Sequence, residues 1–169
     1  VVDRMRRGLP VVCHGDGTTL WGMTHSSDFA VGLVGLLGRP EAIGEAFHVT
    51  TDEVLTWNAI YETIARAAGV EARLVHVPSA LIAALVPDRG ASLLGDKAHS
   101  SVFDNAKVRR LVPEFRPQVT FAEGIARSIA WFDEDPSRRV VNAVANENIE
   151  RVLAAWGRAW EGLPAGGPR

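Results

Sequence analysis

An alternation constrains this chain most. Short β-favouring runs, VVCH at residues 11–14 and ARLVHV at 72–77, are interleaved with stretches of helical periodicity. Strands that alternate with helices are the signature of βαβ units, and so of an α/β fold around a parallel sheet. Yet three or four strand candidates are all that 169 residues provide. A complete doubly wound domain needs more, so the pattern reads as the later part of one.

Local signals divide the rest. Gly15-Asp16-Gly17 has the composition of a tight turn, and residues 20–25 form a second extended piece. Asp28 stands where an N-cap belongs, ahead of an apolar helix at 29–38 that Gly38 and Pro40 end. Residues 45–51 (EAFHVTT) alternate and read as a strand. Thr56 caps a helix whose Trp57, Ile60, Tyr61, Ile64 and Ala68 share one face, and Gly69 stops it. Ser79 caps the apolar run ALIAALV, which Pro87 closes. Residues 88–102 show no period and read as a loop. Asp104 caps a short helix that stops before Pro113. Thr120-x-x-Glu123 is a capping box, and its helix is expected to bury Ile125, Ile129 and Phe132 before Asp133-Glu134-Asp135-Pro136. A last helix covers 144–160.

The opening VVDRMRRGLP reads as the final turn of a helix, with Arg4, Arg6 and Arg7 ahead of Gly8 and Pro10. The expectation is that the chain has lost what came before. The closing GLPAGGPR reads as a disordered tail. The expected division is a domain portion at 1–135, a helical extension at 136–162 and a tail at 163–169.

Composition narrows the function. A net charge of −2 gives no basic footprint for nucleic acid. No apolar run approaches the roughly 18 residues of a membrane span. Cys13 is the single cysteine, which excludes an intrachain disulfide or a cysteine metal cluster. With no signal peptide visible, a cytoplasmic location is expected.

Residue chemistry alone supplies no complete active site. His14, Asp16, His25 and Asp28 lack a metal-ligand spacing and read as turn and cap residues, so no metal is expected. A dinucleotide loop needs a glycine-rich turn leading straight into a helix. GDGTTL lacks the third glycine and the helix, and GLVGLLG lies inside a helix. There is no G-x-S-x-G. The one tyrosine, Tyr61, is followed four residues on by Ala65 rather than by lysine. Cys13 reads as core. Trp131, Trp156 and Trp160 read as helix-packing residues, and Arg4–Arg7, Arg109-Arg110 and Arg138-Arg139 as solvated surface.

Gly15, Asp16, Gly17, His25, Asp28 and Ala30 together resemble the later half of the extended short-chain dehydrogenase/reductases, the NAD-dependent epimerase/dehydratase family of nucleotide-sugar enzymes. The resemblance continues through Gly95-Asp96, Asp104 and Lys107, Leu111, Pro117 and the capped helix from Thr120 to Phe132. Each motif alone is weak; their order and spacing over residues 1–135 are specific. The implied fold class is α/β: the C-terminal part of a Rossmann-like doubly wound sheet plus a small mixed α/β substrate-binding lobe.

In that family the glycine-rich NAD(P) loop and the Tyr-x-x-x-Lys pair lie in the other half. The resemblance therefore implies a cofactor, NAD or NADP, whose main binding loop is not in this chain, and no catalytic or cofactor-binding residue here. In the intact protein NAD(P) exchanges hydride with a carbinol carbon and a tyrosine moves the proton. A small-molecule substrate, a homodimer through helices of the other half, no nucleic acid and no membrane complete the expected partners. Trp21, Thr24, His25, Lys97 and His99 are the candidates for lining the substrate pocket. A structural role stands beside each: His25 as a backbone hydrogen-bonder at its turn, Lys97 and His99 as solvated loop residues.

Departures from the family pattern carry information. Trp21 and Leu93 stand where nucleotide-sugar members place phosphate-binding arginines. Their loss argues against a typical UDP-sugar and for a less charged or more apolar ligand. Pro113-Glu114 is an insertion. A non-catalytic RNA-binding protein on the same scaffold, like the chloroplast stem-loop binders, is the alternative. A chain making protein contacts through its last helix is a third.

Overall fold

The computed structural model describes residues 1–159 and Glu161; Trp160 and the tail expected at 163–169 lie outside them. At the centre β1 (Val11–His14) and β4 (Leu74–Val77) pair in parallel, from Val11 beside Leu74 to His14 beside Val77. Between them the chain makes β2 (Leu20–Trp21), α2 (Ser26–Leu36), β3 (Leu55–Thr56) and α3 (Trp57–Ala67). β2 and β3 pair antiparallel. α1 (Val2–Arg6) precedes β1. After β4 come α4 (Ser79–Leu85), α5 (Pro87–Ser92), a π-helical turn at Leu93–Lys97, α6 (Ala106–Leu111), α7 (Phe121–Glu134) and α8 (Ala143–Arg158).

The elements form where local physics and burial agree. Val11, Cys13 and Val77 are buried, with apolar clusters on both faces of the parallel pair. On one face Val77 joins Ile82, Val86, Leu93 and Val152, with Trp156 packed against them. On the other, Trp57 and Ile60 of α3 meet Cys13, and Tyr61 and Ile64 pack at their edge. Thr56 caps α3 by accepting from the Ala59 amide (3.1 Å), and Gly69 takes the left-handed φ of +72° that ends it. The Thr120–Glu123 box is present with both hydrogen bonds.

Several expectations are corrected. Residues 45–51 form no strand; the Thr50 amide and carbonyl go instead to the side chain of Asn105 (3.1 and 2.8 Å). Asp28 is not the N-cap of α2, which is His25. Its buried carboxylate accepts from the amides of Gln118 and Val119 (3.0 and 2.9 Å). The extended piece at 20–25 shrinks to Leu20–Trp21. Ser79 begins α4 without capping it, and Pro87 opens α5, where its missing N–H costs nothing. Residues 88–97 are therefore helical rather than a loop. Asp104 accepts from the Ala106 amide, but Asn105 holds the cap position of α6. Ile129 is buried, Ile125 half-buried, and Phe132 and Trp131 are exposed; Trp131 stacks under the Arg138 guanidinium at 4.1 Å. Arg4 is not solvated surface: it is buried, donates to the Pro10 carbonyl (2.9 Å) and pairs with Glu150 of α8 (2.7 Å).

Candidate functional site

Parallel strands deliver their carboxyl ends to one edge, and in open α/β sheets ligands bind there. β1 ends in His14 and runs into the turn Gly15-Asp16-Gly17. Gly15 and Gly17 take φ of +60° and +72°, and a Cβ on Gly17 would fall 2.0 Å from the Asn58 oxygen. Asn58 organises this edge. It donates to the Asp16 carbonyl (3.0 Å) and accepts from His76 Nε2 (2.7 Å) and, weakly, from the Cys13 thiol (3.7 Å). Burial pushes that thiol up from its ordinary 9.0 to about 11, so Cys13 stays protonated and is no nucleophile at neutral pH.

The π-helical turn brings Lys97 to the same edge. Its carbonyl accepts from His14 Nε2 (2.9 Å) and from the Thr19 hydroxyl (3.0 Å). His14 is buried with its ring edge against Trp57 (4.9 Å between centroids), and desolvation lowers its pKa. It is thus a neutral, Nε2-protonated clamp on the turn. Farther along, the Leu20 amide donates to the Ser100 hydroxyl (3.0 Å) and the Ser101 amide to the Leu20 carbonyl (2.9 Å).

Above this frame Trp21 and Trp57 lie 5.7 Å apart at 42°, and the Lys97 ammonium sits 5.3 Å from the Trp21 ring. The ammonium also donates to the Ser92 hydroxyl (2.8 Å) and to Asp96 (3.2 Å), which leaves one of its three N–H groups. The surface is a wall formed by the half-buried Trp21, backed by the buried Trp57, with one cation at its rim. Such a wall takes the apolar face of a ring and offers a single hydrogen-bond donor.

The structure thus brings Trp21 and Lys97 together. His99 is exposed, one turn away, and donates from Nε2 to the Leu94 carbonyl (3.1 Å). Thr24 and His25 are engaged elsewhere: the Thr24 hydroxyl accepts from the Thr51 amide (2.9 Å), and His25 Nδ1 accepts from the Ser27 amide (3.3 Å) while its ring packs on Gly124 of α7. Sequence reasoning missed Asn58, His14 and Trp57 as site-forming residues. A signal existed for His14, the last residue of a strand before a G-x-G turn; Asn58 had none.

The implied dinucleotide can be tested against the turn. The space beside Gly17 is filled by Asn58, and β1 continues through the turn into β2, not into a helix. The turn does not fit a pyrophosphate. Among the described residues no three His, Cys, Asp or Glu side chains converge as a metal site, and no helix is long and apolar enough to cross a membrane.

No family model matches the chain. Two curated relatives do, each at 30% identity. The 2'-dehydrokanamycin reductase of Streptomyces kanamyceticus aligns over 110 residues, 64% of this chain and 31% of its own length. The dTDP-glucose 4,6-dehydratase of an Actinoplanes species aligns over 131 residues, 78% of this chain and 36% of its own. The chain therefore spans about a third of the length of these relatives. Among solved structures, an epimerase from Methanothermobacter thermautotrophicus superposes with a TM-score of 0.64 at 25% identity, covering 80% of this chain and 36% of that one. Other solved neighbours are NAD complexes of nucleotide-sugar epimerases and dehydratases, which share the fold. By sequence and by fold, the chain groups with the NAD-dependent epimerase/dehydratase/reductase family, to which these relatives and neighbours belong, and corresponds to a C-terminal portion of it.

Proposed function

We propose that this chain is the substrate-facing portion of an NAD(P)-dependent epimerase, dehydratase or reductase, and that its ligand is a sugar-like ring carrying less negative charge than a typical UDP-sugar. The observation that carries the reading is the Trp21 face, backed by the buried Trp57 and with Lys97 at its rim, at the carboxyl edge of a parallel strand pair. Trp21 occupies the position where the resemblance places a phosphate-binding arginine. An indole offers a ring face and one N–H there, where an arginine fork would grip a phosphate with two.

The relatives support this breadth. One is named for dTDP-glucose and the other for 2'-dehydrokanamycin, so substrates with and without a nucleotide diphosphate both occur among them. The chain's own residues bind and orient. Trp21 holds the ring with the buried Trp57 bracing it from behind, Lys97 and His99 contact its polar groups, and Thr24 and His25 fix the loop ends. No step is assigned to NAD(P), for which the described turn is not a cradle.

Titration of the isotope-labelled chain with methyl glucoside and with UDP-glucose, followed residue by residue by NMR, tests the reading. Shifts centred on Trp21, Trp57 and Lys97 with either ligand are expected, with no gain in affinity from the UDP group. Shifts confined to α7 and α8, or none at millimolar ligand, would sink it.

A further inference from the structure

Helix α8 begins at Ala143, past residue 135 where the family pattern ends. It is nonetheless built into the molecule. Val152 on its inner side is 2% exposed and shares one cluster with Val77, Ile82, Val86 and Leu93, on the face of the parallel pair opposite Trp57. Two polar ties flank it. The Arg151 guanidinium donates to the Leu85 carbonyl at the end of α4 (3.0 Å), and Glu150 pairs with the buried Arg4 (2.7 Å). Leu93 is also the first residue of the π-helical turn that ends in Lys97. The Ala98 amide closes that turn onto the Leu93 carbonyl (2.8 Å), so one hydrogen-bonded ring joins its two ends. Such turns are rare and recur at functional sites. This one is anchored twice. At its far end the Lys97 carbonyl accepts from His14 and Thr19 (2.9 and 3.0 Å). At its near end Leu93 is 8% exposed and held in the Val152 cluster. The carbonyl anchor fixes a point. The Leu93 anchor fixes the rotation of the turn about that point, and with it the direction in which the Lys97 side chain leaves towards Trp21. Behind the frame lies a cavity of about 210 Å³ with His14, Leu93, Ile149 and Val152 in its wall, which gives the turn room to pivot once the Leu93 anchor is loosened.

We propose that Val152 is a positioning residue: through Leu93 and the π turn, helix α8 holds the Lys97 ammonium at the rim of the Trp21 face. The consequence for binding rests on the sugar-like ligand proposed above; the brace itself does not.

NMR of the full chain reads the brace without ligand. In the wild type the Cε protons of Lys97 are expected upfield of the ordinary lysine position, because the Trp21 ring current acts on them at 5.3 Å from ammonium to centroid. Val152→Ala is expected to remove most of that displacement, and Val152→Ile to keep it. Val108→Ala, an equal truncation in the cluster beneath α2, is expected to leave it in place. Should Val152→Ala fail to fold, Val152→Thr, which keeps the shape and puts a hydroxyl into the cluster, is read instead. With methyl glucoside, Val152→Ala is expected to weaken binding about fivefold in the wild-type chain and not at all beside Lys97→Gln, since coupled residues are not additive. Lys97 protons indifferent to Val152→Ala, or moved equally by Val108→Ala, overturn the proposal. So does a loss of affinity that persists in full beside Lys97→Gln. A wild-type chain that binds no glucoside, yet whose Lys97 protons follow Val152, supports the brace and removes the ligand reading instead.

Discussion

The parallel pair and the lobe beneath α2 solve the same problem in opposite ways. Backbone amides must find partners wherever they are buried. In β1 and β4 the ladder supplies them, as from Val11 to the Arg73 carbonyl and from Gly15 to the Val77 carbonyl (both 2.8 Å). Side chains there are free to fill apolar clusters. In the lobe the backbone at 45–53 and 116–120 is irregular, and side chains supply the partners there and at the first amide of α7. Asn105 serves Thr50, Asp28 serves Gln118 and Val119, Thr24 serves Thr51, and Glu53 accepts from the Phe121 amide (2.6 Å). Stability in one region rests on packing; in the other it rests on a few buried or half-buried polar side chains, each holding one or two backbone amides.

The largest effect should come from breaking the lobe's network. Asn105 is 2% exposed and makes hydrogen bonds to the Thr50 amide, hydroxyl and carbonyl and to Asp52. Asn105→Ala is expected to cost about 3 kcal/mol in urea unfolding, because it removes a buried side chain and leaves the half-buried Thr50 amide and carbonyl without their partner. A cost below about 1 kcal/mol would dissolve the contrast between the two regions. Gly32→Ala comes next, at about 2 kcal/mol, because its Cβ must displace Val49 and Phe115. Gly38→Ala, where φ is +74° but space is open, should cost about 1 kcal/mol from strain alone.

A smaller effect belongs to the parallel pair and depends on pH. His14 has its pKa lowered by desolvation. The unfolded chain therefore takes up a proton first, and stability falls as pH drops below the ordinary histidine value toward the folded one. His14→Gln, which keeps a donor for the Lys97 carbonyl, should flatten that acid limb. At the other extreme Cys13 rises from 9.0 to about 11 and Tyr61 from 10.0 to about 12, both mainly by burial. Their stabilising share is present below pH 9 and lost as pH climbs through those values, and Cys13→Ala should remove the earlier part of the loss in a pH series of thermal melts.

The contrast also decides what the sequence revealed. β1, β4, α3 and the Thr120 box were legible because their signals are local: alternation, a cap, a stop glycine. Asp28 looked like a cap because a helix begins beside it, but its partners are 90 and 91 residues away. Residues 45–51 carry strand-like alternation, yet Asn105 rather than a neighbouring strand takes their hydrogen bonds. Residues 88–97 hid their helix behind Pro87, which can open a helix as readily as close one. At the candidate site Trp21 and Lys97 were legible as residues. Their meeting was not, because the carbonyl clamp by His14 and Thr19 acts across 83 and 78 residues.

The most direct test of the binding surface is a charge switch at Trp21. Calorimetric titration of the chain and of Trp21→Arg, each with methyl glucoside and UDP-glucose, compares the two modes of recognition. The account predicts that the wild-type chain gains nothing from the UDP group, whereas Trp21→Arg gains about tenfold for UDP-glucose and loses affinity for the glucoside. A wild-type chain that already prefers UDP-glucose, with Trp21→Arg leaving both affinities unchanged, would contradict it.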